Sequence, residues 1–364
     1  MPMRRSWSAL LAALVFAGGL AAWGQLRLEG AMQAASQAPA GTRIVVRPGE
    51  SVRSVLGQLA AAGALQDPRW VALYLKLHDQ RVRVQAGTYE LAAQATARQI
   101  LHQLDDGQVV LEQLTIVEGW SFAQMRAALD AAPDLQHEWR ALDDAQLMKA
   151  LGFPGLHPEG RFYPDSYRFA AGTSDRKLYE MAFARMHERL DGEWTQRAPG
   201  LPLASADDAL TLASIVEKET AREDERARVA SVFVNRLRRH MLLQTDPTVI
   251  YGLGATYDGN LRRRDLEADT PYNTYTRQGL PPTPIALPGG ASIHAALHPA
   301  IEPSLYFVAS GNGDGGHHFS ATYEEHRAAV LQFLRATGAR PDRQAQAPAQ
   351  APAQAPAGGK AGRP

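Results

Sequence analysis

The chain has 364 residues, and 38 Lys and Arg balance 38 Asp and Glu for a formal net charge of zero. That balance argues against a nucleic-acid binder working through a basic surface. The absence of cysteine excludes a disulfide framework, a thiol nucleophile, an Fe–S centre and Cys-ligated zinc.

The first element is apolar. No charge occurs from Ser6 to Leu26, and Arg4 and Arg5 precede that run. At the helical rise of ~1.5 Å per residue it reaches roughly 31 Å, about one hydrocarbon core. The spacing predicts a single-pass transmembrane anchor over 6–26, with residues 1–5 cytoplasmic and the rest in the periplasm. A cleaved signal peptide is the alternative, and both export everything after residue 27. Residues 27–42, rich in Ala, Gln, Gly and Ser, are expected to be a linker.

A small module is expected over 43–110. Arg43–Val46 is predicted as a strand, and Ser51 as the cap of a helix carrying Val52, Val55, Leu56 and Leu59 at helical spacing. A second helix near 68–77 and a strand near Tyr89 complete a strand–helix–helix–strand order, which resembles a LysM module. A larger domain is expected over 111–338, starting with a strand before Glu118-Gly119-Trp120 and a helix capped by Ser121. In EGRFYPDSYRF, the aromatics Tyr163, Tyr167 and Phe169 either pave a groove or pack a core edge. The tail, 339–364, repeats Ala-Pro and is expected to be disordered.

Residues 205–241 contain neither Gly nor Pro. Ser205 is predicted to start one helix, and Thr220-x-x-Glu223 to form a capping box opening a second. Leu212, Ile215, Val216 and Glu219 follow i, i+3, i+4, i+7 spacing, so Glu219 extends an apolar stripe to the helix end. A carboxyl there should have a raised pKa, as a general acid on a glycosidic oxygen requires. A rim salt bridge to Arg222 is the alternative. Glu217 lies about 200° round the helix, so the two glutamates cannot form a close pair.

The loops that follow, LQTDPTVIYG and TPYNTY, are dense in tyrosine and amides, as sugar grooves are. Gln244, Asp246, Tyr272, Asn273 and Tyr275 are the candidate substrate-binding residues. Gly311–Gly316 satisfies G-x-G-x-x-G, but the strand-like His317-His318-Phe319 after it predicts a hairpin loop instead of a dinucleotide site. No metal or cofactor is expected: H-E-x-x-H is absent, and His317 and His318 would point to opposite sides of a strand.

ASIVEKET, VASVFVNRL, LQTDPTVIYG, PYNTYT, GLPPTPIALPG and LYFVASG…GGHHF together resemble the YceG-like family of membrane-bound endolytic murein transglycosylases. The resemblance implies an α+β fold: an anchor, a LysM-like module, and a lysozyme-related lytic-transglycosylase domain with added β structure. It implies non-hydrolytic cleavage between N-acetylmuramic acid and N-acetylglucosamine, leaving 1,6-anhydro ends. It makes glycan strands of peptidoglycan the substrate, the inner membrane the location and peptidoglycan synthases candidate partners. It also assigns catalysis to the second glutamate of EKET, Glu219. A non-catalytic cell-wall tether and a hydrolytic muramidase are the alternatives.

Overall fold

The computed structural model describes residues 3–47, 49–80 and 82–338; the Ala-Pro tail lies outside the described residues. In chain order the elements are α1 (Met3–Gln33), β1 (Arg43–Val46), α2 (Val52–Ala61), α3 (Pro68–Leu77), β2 (Gly87–Glu90), α4 (Ala97–Asp105) and β3 (Leu111–Thr115). Then come α5 (Phe122–Ala131), β4 (Leu135–Gln136), α6 (Asp144–Ala150), β5 (Ser166–Ala170), β6 (Thr173–Ser174) and α7 (Asp175–Thr195). The last group is α8 (Ala206–Glu219), α9 (Glu223–Arg238), α10 (Asp246–Leu253), α11 (Arg263–Glu267), α12 (Gly290–Leu297), β7 (Tyr306–Ala309), β8 (His317–Ser320) and α13 (Tyr323–Thr337). The class is α+β. Two compact units emerge: one formed by residues up to 113 with 133–136 and 168–174, the other by 114–132, 137–167 and 175 onward.

In the first unit, β1 and β2 pair antiparallel, with Ile44 opposite Tyr89, and enclose α2 and α3 in sequence. Ser51 caps α2 by accepting from Ser54 N–H, and Glu50 closes the preceding turn by accepting from Arg47 N–H. The core joins Ile44 and Val46 to Val55, Leu59, Val71, Tyr74, Ile100 and Leu104. The strand–helix–helix–strand order expected of the module is therefore present, with α4 added to it.

Helix α1 differs from expectation at its end. The segment expected to be linker is helical through Gln33, and Leu28, Ala31 and Met32 are buried in the core of the first unit. Arg98 of α4 holds Glu29 of α1 at 3.0 Å, and Trp70 of α3 meets Trp23 edge-on at 5.9 Å. Apolar burial continued the helix where composition suggested loose chain. Further back, Leu11, Leu14, Val15, Phe16 and Leu20 are exposed. Among the described residues, no helix is long and apolar enough to cross a membrane.

The second unit is built on α8. Leu210, Leu212, Ala213, Ile215 and Val216 have no exposed surface, and α12, α9 and α7 pack around them. Ser205 caps α8 as expected, and Ser121 with Gln124 forms a capping box on α5. The capping box expected at Thr220 does not form. Thr220 ends α8 in extended conformation, its hydroxyl accepts from Arg222 N–H, and α9 starts at Glu223 without a side-chain cap. A sharp break between two buried helices took precedence over the local signal. β7 and β8 pair antiparallel, so Gly311–Gly316 is a hairpin loop. Asp314 organises that loop by accepting from Ser310 Oγ and Gly316 N–H. Tyr167 and Phe169 are buried, which favours core packing over a groove.

Met32, 1% exposed, distinguishes a packed helix end from a linker. Met32→Ala should destabilise the protein by ~2–4 kcal/mol in urea denaturation, whereas substitution in a linker would change nothing.

Candidate active site

Glu219 is the last residue of α8, so the apolar stripe delivers it to the floor of a cleft of 490 Å³. The cleft is walled by α9, the 243–246 turn, Tyr275, β7, β8 and α13. The carboxyl is surrounded by protein and only partly exposed, and it lines the cleft. Burial pushes its pKa up to about 7, the Asp246 carboxylate adds to the rise, and Arg236 and Thr245 act against it. Thr245 Oγ1 donates to Glu219 Oε1.

Thr245 precedes α10 but does not cap it, because its hydroxyl is given to Glu219. Its own position is fixed from behind. Thr245 N–H donates to Thr274 Oγ1 at 3.1 Å, and Thr248 Oγ1 lies 2.9 Å from Thr274 Oγ1. All three threonines are buried. Asp246 accepts from the Tyr275 hydroxyl, and burial pushes the Tyr275 phenol well above its ordinary value, so it remains a donor.

Arg236, on α9, is the buried cation of the cleft. It donates to the carbonyls of Leu305 at 2.7 Å, Leu243 at 2.9 Å and Leu242 at 3.2 Å, and lies 5.2 Å from the Tyr306 ring centre. A cation anchored on carbonyls and an aromatic face keeps a fixed place. Arg222 instead binds Asp224 at 2.7 Å and the Asp314 carbonyl at 3.2 Å. The rim salt bridge to Glu219 is therefore not made. Glu217 accepts from Gly289 N–H at 2.9 Å, satisfying an open donor at the start of α12.

Of the residues chosen from sequence, the cleft gathers Glu219, Gln244, Asp246 and Tyr275. It does not gather Tyr272 or Asn273. Tyr272 packs edge-on to Tyr251 at 5.0 Å and shares a hydrogen bond with Thr283. Asn273 is completely buried; its amide donates to the carbonyls of Asp265, Leu266 and Ala268, and its oxygen accepts from Tyr275 N–H. It braces the loop that presents Tyr275 and has no free proton to offer a sugar. Thr245, Arg236, Tyr306 and His326 were not singled out from sequence. Thr245 stands inside a quoted motif, but nothing in the sequence aims its hydroxyl at Glu219. Burial lowers His326 to about 4, so it is neutral in the cleft wall.

A second carboxyl, Glu159, is also pushed up to about 7 by burial. It accepts from Phe122 N–H at 2.9 Å and the Tyr251 hydroxyl at 3.1 Å, closing the start of α5, and it does not line the cleft. A raised pKa with closed hydrogen bonding is structural here. Glu219 combines a raised pKa with an open face.

The profile of the YceG-like family matches residues 44–332, nearly the whole described part of the chain. The chain belongs to the YceG-like family. The endolytic murein transglycosylase of Bacillus subtilis strain 168 is 32% identical over 311 residues, covering 80% of this chain and 84% of that protein. That of Streptococcus pneumoniae D39 is 26% identical over 321 residues, covering 79% of this chain and 57% of that longer protein. The crystal structure of the Listeria monocytogenes yceG-like protein lmo1499 matches with a TM-score of 0.50 at 31% identity, covering 79% of this chain and 99% of that one. In this YceG-like cleft, the contact between Thr245 and Glu219 lowers the proton affinity that burial raises. Thr245→Val removes a donor that favours the anion, so the Glu219 pKa should rise further, read as an upward shift in its NMR-detected titration.

Proposed function

We propose that this chain is an endolytic peptidoglycan lytic transglycosylase with Glu219 as its single acid–base residue. A carboxyl with pKa near 7, open to a cleft that also holds Asp246, Tyr275 and Arg236, is the observation that carries it. Protonated Glu219 donates to the oxygen bridging N-acetylmuramic acid and N-acetylglucosamine as the C1–O bond breaks. The glutamate anion then takes the proton of the muramic acid 6-hydroxyl, whose oxygen bonds to C1. Donor and acceptor are one group, atoms balance without water, and the product ends in a 1,6-anhydro ring. The nucleophile is tethered to the electrophile, which raises its effective molarity.

The carboxylate of Asp246 has two uses in this scheme. It favours the neutral form of Glu219 before the reaction, and its charge opposes the positive charge growing on the sugar ring. Tyr275 holds it in place. Thr245 stabilises the Glu219 anion that forms midway, when a donor is worth most. Gln244 has a left-handed backbone, φ +51°, which turns its amide into the cleft wall within 3.4 Å of Arg236. Gln244 and Tyr275 are the proposed contacts to the sugars, and the helical core around α8 is the lysozyme-related part of the enzyme.

The first unit serves as a LysM-like glycan-binding module, held close to the membrane. Its support is the strand–helix–helix–strand order with paired β1 and β2. The uncharged run Ser6–Leu26 behind Arg4 and Arg5 is the membrane anchor, with the bulk of the chain in the periplasm, where nascent strands and their synthases are. Exposed Leu11, Leu14, Val15 and Phe16 on α1 support that assignment. After alkaline wash the protein should remain with membranes; recovery in the supernatant would favour a cleaved leader.

Glu219→Gln cannot move the proton and should lower turnover by ~10²–10⁴-fold, measured by mass spectrometry of peptidoglycan digests. Glu217→Gln keeps an acceptor for Gly289 N–H and should retain most activity. Wild-type products should carry no added water; a water-added mass would mean a muramidase. The Glu219 proton is lost as pH rises through about 7, so kcat/KM should fall above that pH. The raised folded-state pKa also means that wild-type stability declines, relative to Glu219→Gln, between the ordinary carboxyl range and about 7. A variant that is inactive but no less stable at pH 8 isolates the chemistry from folding.

A further inference from the structure

A second cluster of ionisable side chains lies outside the cleft lining, at the far end of α12 from Glu217. Glu193 lies in the last turn of α7, His294 in the last turn of α12, and His298 at the residue after that helix. The two histidines are four apart, so they share one helix face. Their rings stack at 4.4 Å between centres. Glu193 Oε2 is 2.9 Å from His294 Nδ1 and 3.8 Å from His298 Nε2. One ligand atom from each of the three residues falls within 4.8 Å of the others. Tetrahedral bonds of about 2.0–2.2 Å place ligand atoms roughly 3.3–3.6 Å apart, between the two measured Glu193–histidine distances.

We propose that Glu193, His294 and His298 form a binding site for a divalent transition-metal ion of the zinc class. Two imidazoles and one carboxylate suit Zn²⁺, Co²⁺ or Ni²⁺, and do not suit Mg²⁺ or Ca²⁺, which prefer oxygen ligands. The carboxylate is already oriented: Arg189, one turn back on α7, holds its other oxygen at 3.1 Å. That leaves Oε2 to face the histidines. The backbone nearby is tied as well, since Ala198 N–H donates to the Leu297 carbonyl at 2.9 Å and His298 N–H to the His294 carbonyl at 2.8 Å. Glu193 is only 15% exposed, whereas His294 is 58% exposed, so the fourth position opens to water on the His294 side. The ion would clamp the end of α7 to the end of α12. Helix α12 packs along α8, and its other end is held by Glu217. The site is a structural clamp on two helices packed against α8, which carries Glu219, and takes no part in proton transfer.

The test uses the full chain purified without an affinity tag. The chain contains no cysteine, so thiolate ligation cannot mimic the signal. Equilibrium dialysis should return one Zn²⁺ per chain, and Co²⁺ should give the visible absorption of a tetrahedral nitrogen–oxygen site, unaffected by excess Mg²⁺. Zn²⁺ at ~100-fold over Kd should raise Tm by about 5 °C. His294→Ala, His298→Ala and Glu193→Gln should each lose the cobalt band, while peptidoglycan cleavage by His298→Ala persists in metal-free buffer. Arg189→Ala keeps all three ligands but releases the carboxylate from its fixed orientation, and should weaken zinc binding by about 10–100-fold. Absence of cobalt absorption in the wild type would overturn the site. So would zinc uptake that is equal in wild type and in the His294→Ala, His298→Ala double variant.

Discussion

The hydrogen bond from Thr245 to Glu219 joins the two halves of the cleft: the end of α8 and the turn that opens α10. A carboxyl at that place is costly. It sits at a helix C-terminus, where the dipole disfavours negative charge, and protein surrounds it on most sides. The structure meets the cost by burying the large apolar residues of α8, each worth roughly 1.5–3 kcal/mol, and by letting the carboxyl stay protonated near neutral pH. The buried threonines behind Thr245 then hold the one donor that stabilises the anion. Proton affinity and packing are therefore set by the same few residues.

Four glutamates of the second unit show how context divides one residue type into different tasks. Glu217, two positions before Glu219, points to another face and satisfies Gly289 N–H. Glu159 is more completely buried and spends both oxygens on Phe122 N–H and the Tyr251 hydroxyl. Glu225 accepts from His317 N–H at 3.0 Å, tying α9 to the hairpin that walls the cleft. Glu219 couples a raised pKa to a place in the cleft lining, which Glu217, Glu159 and Glu225 do not share.

The first unit uses a different economy. Its paired strands β1 and β2 are four residues each, too short to make a core alone, and the end of α1 supplies Leu28, Ala31 and Met32 to complete it. A helix that exposes Leu11, Leu14, Val15 and Phe16 thus ends as a core element. The same continuity makes the link between the apolar run and the module stiff at its module end, where composition suggested a flexible stretch.

Periodicity and capping determined much of this protein from sequence alone. The apolar spacing of α8 brought Glu219 to its end, Ser51, Ser121 and Ser205 marked helix starts, and the strand after Gly316 identified a hairpin in place of a dinucleotide loop. These features depend on neighbours within a few residues, so local sequence suffices. Tertiary structure decided the rest. Thr220 carried a capping signal that a forced break between two buried helices overrode. Asn273 and Gln244 have similar amides, yet one is spent on three carbonyls and the other lines the cleft. Arg236 looked like one more cation in a helix's last turn until carbonyls from Leu242, Leu243 and Leu305 converged on it. Burial and long-range hydrogen bonding are properties of residues far apart in the chain, and no local pattern encodes which of two similar side chains will face the substrate.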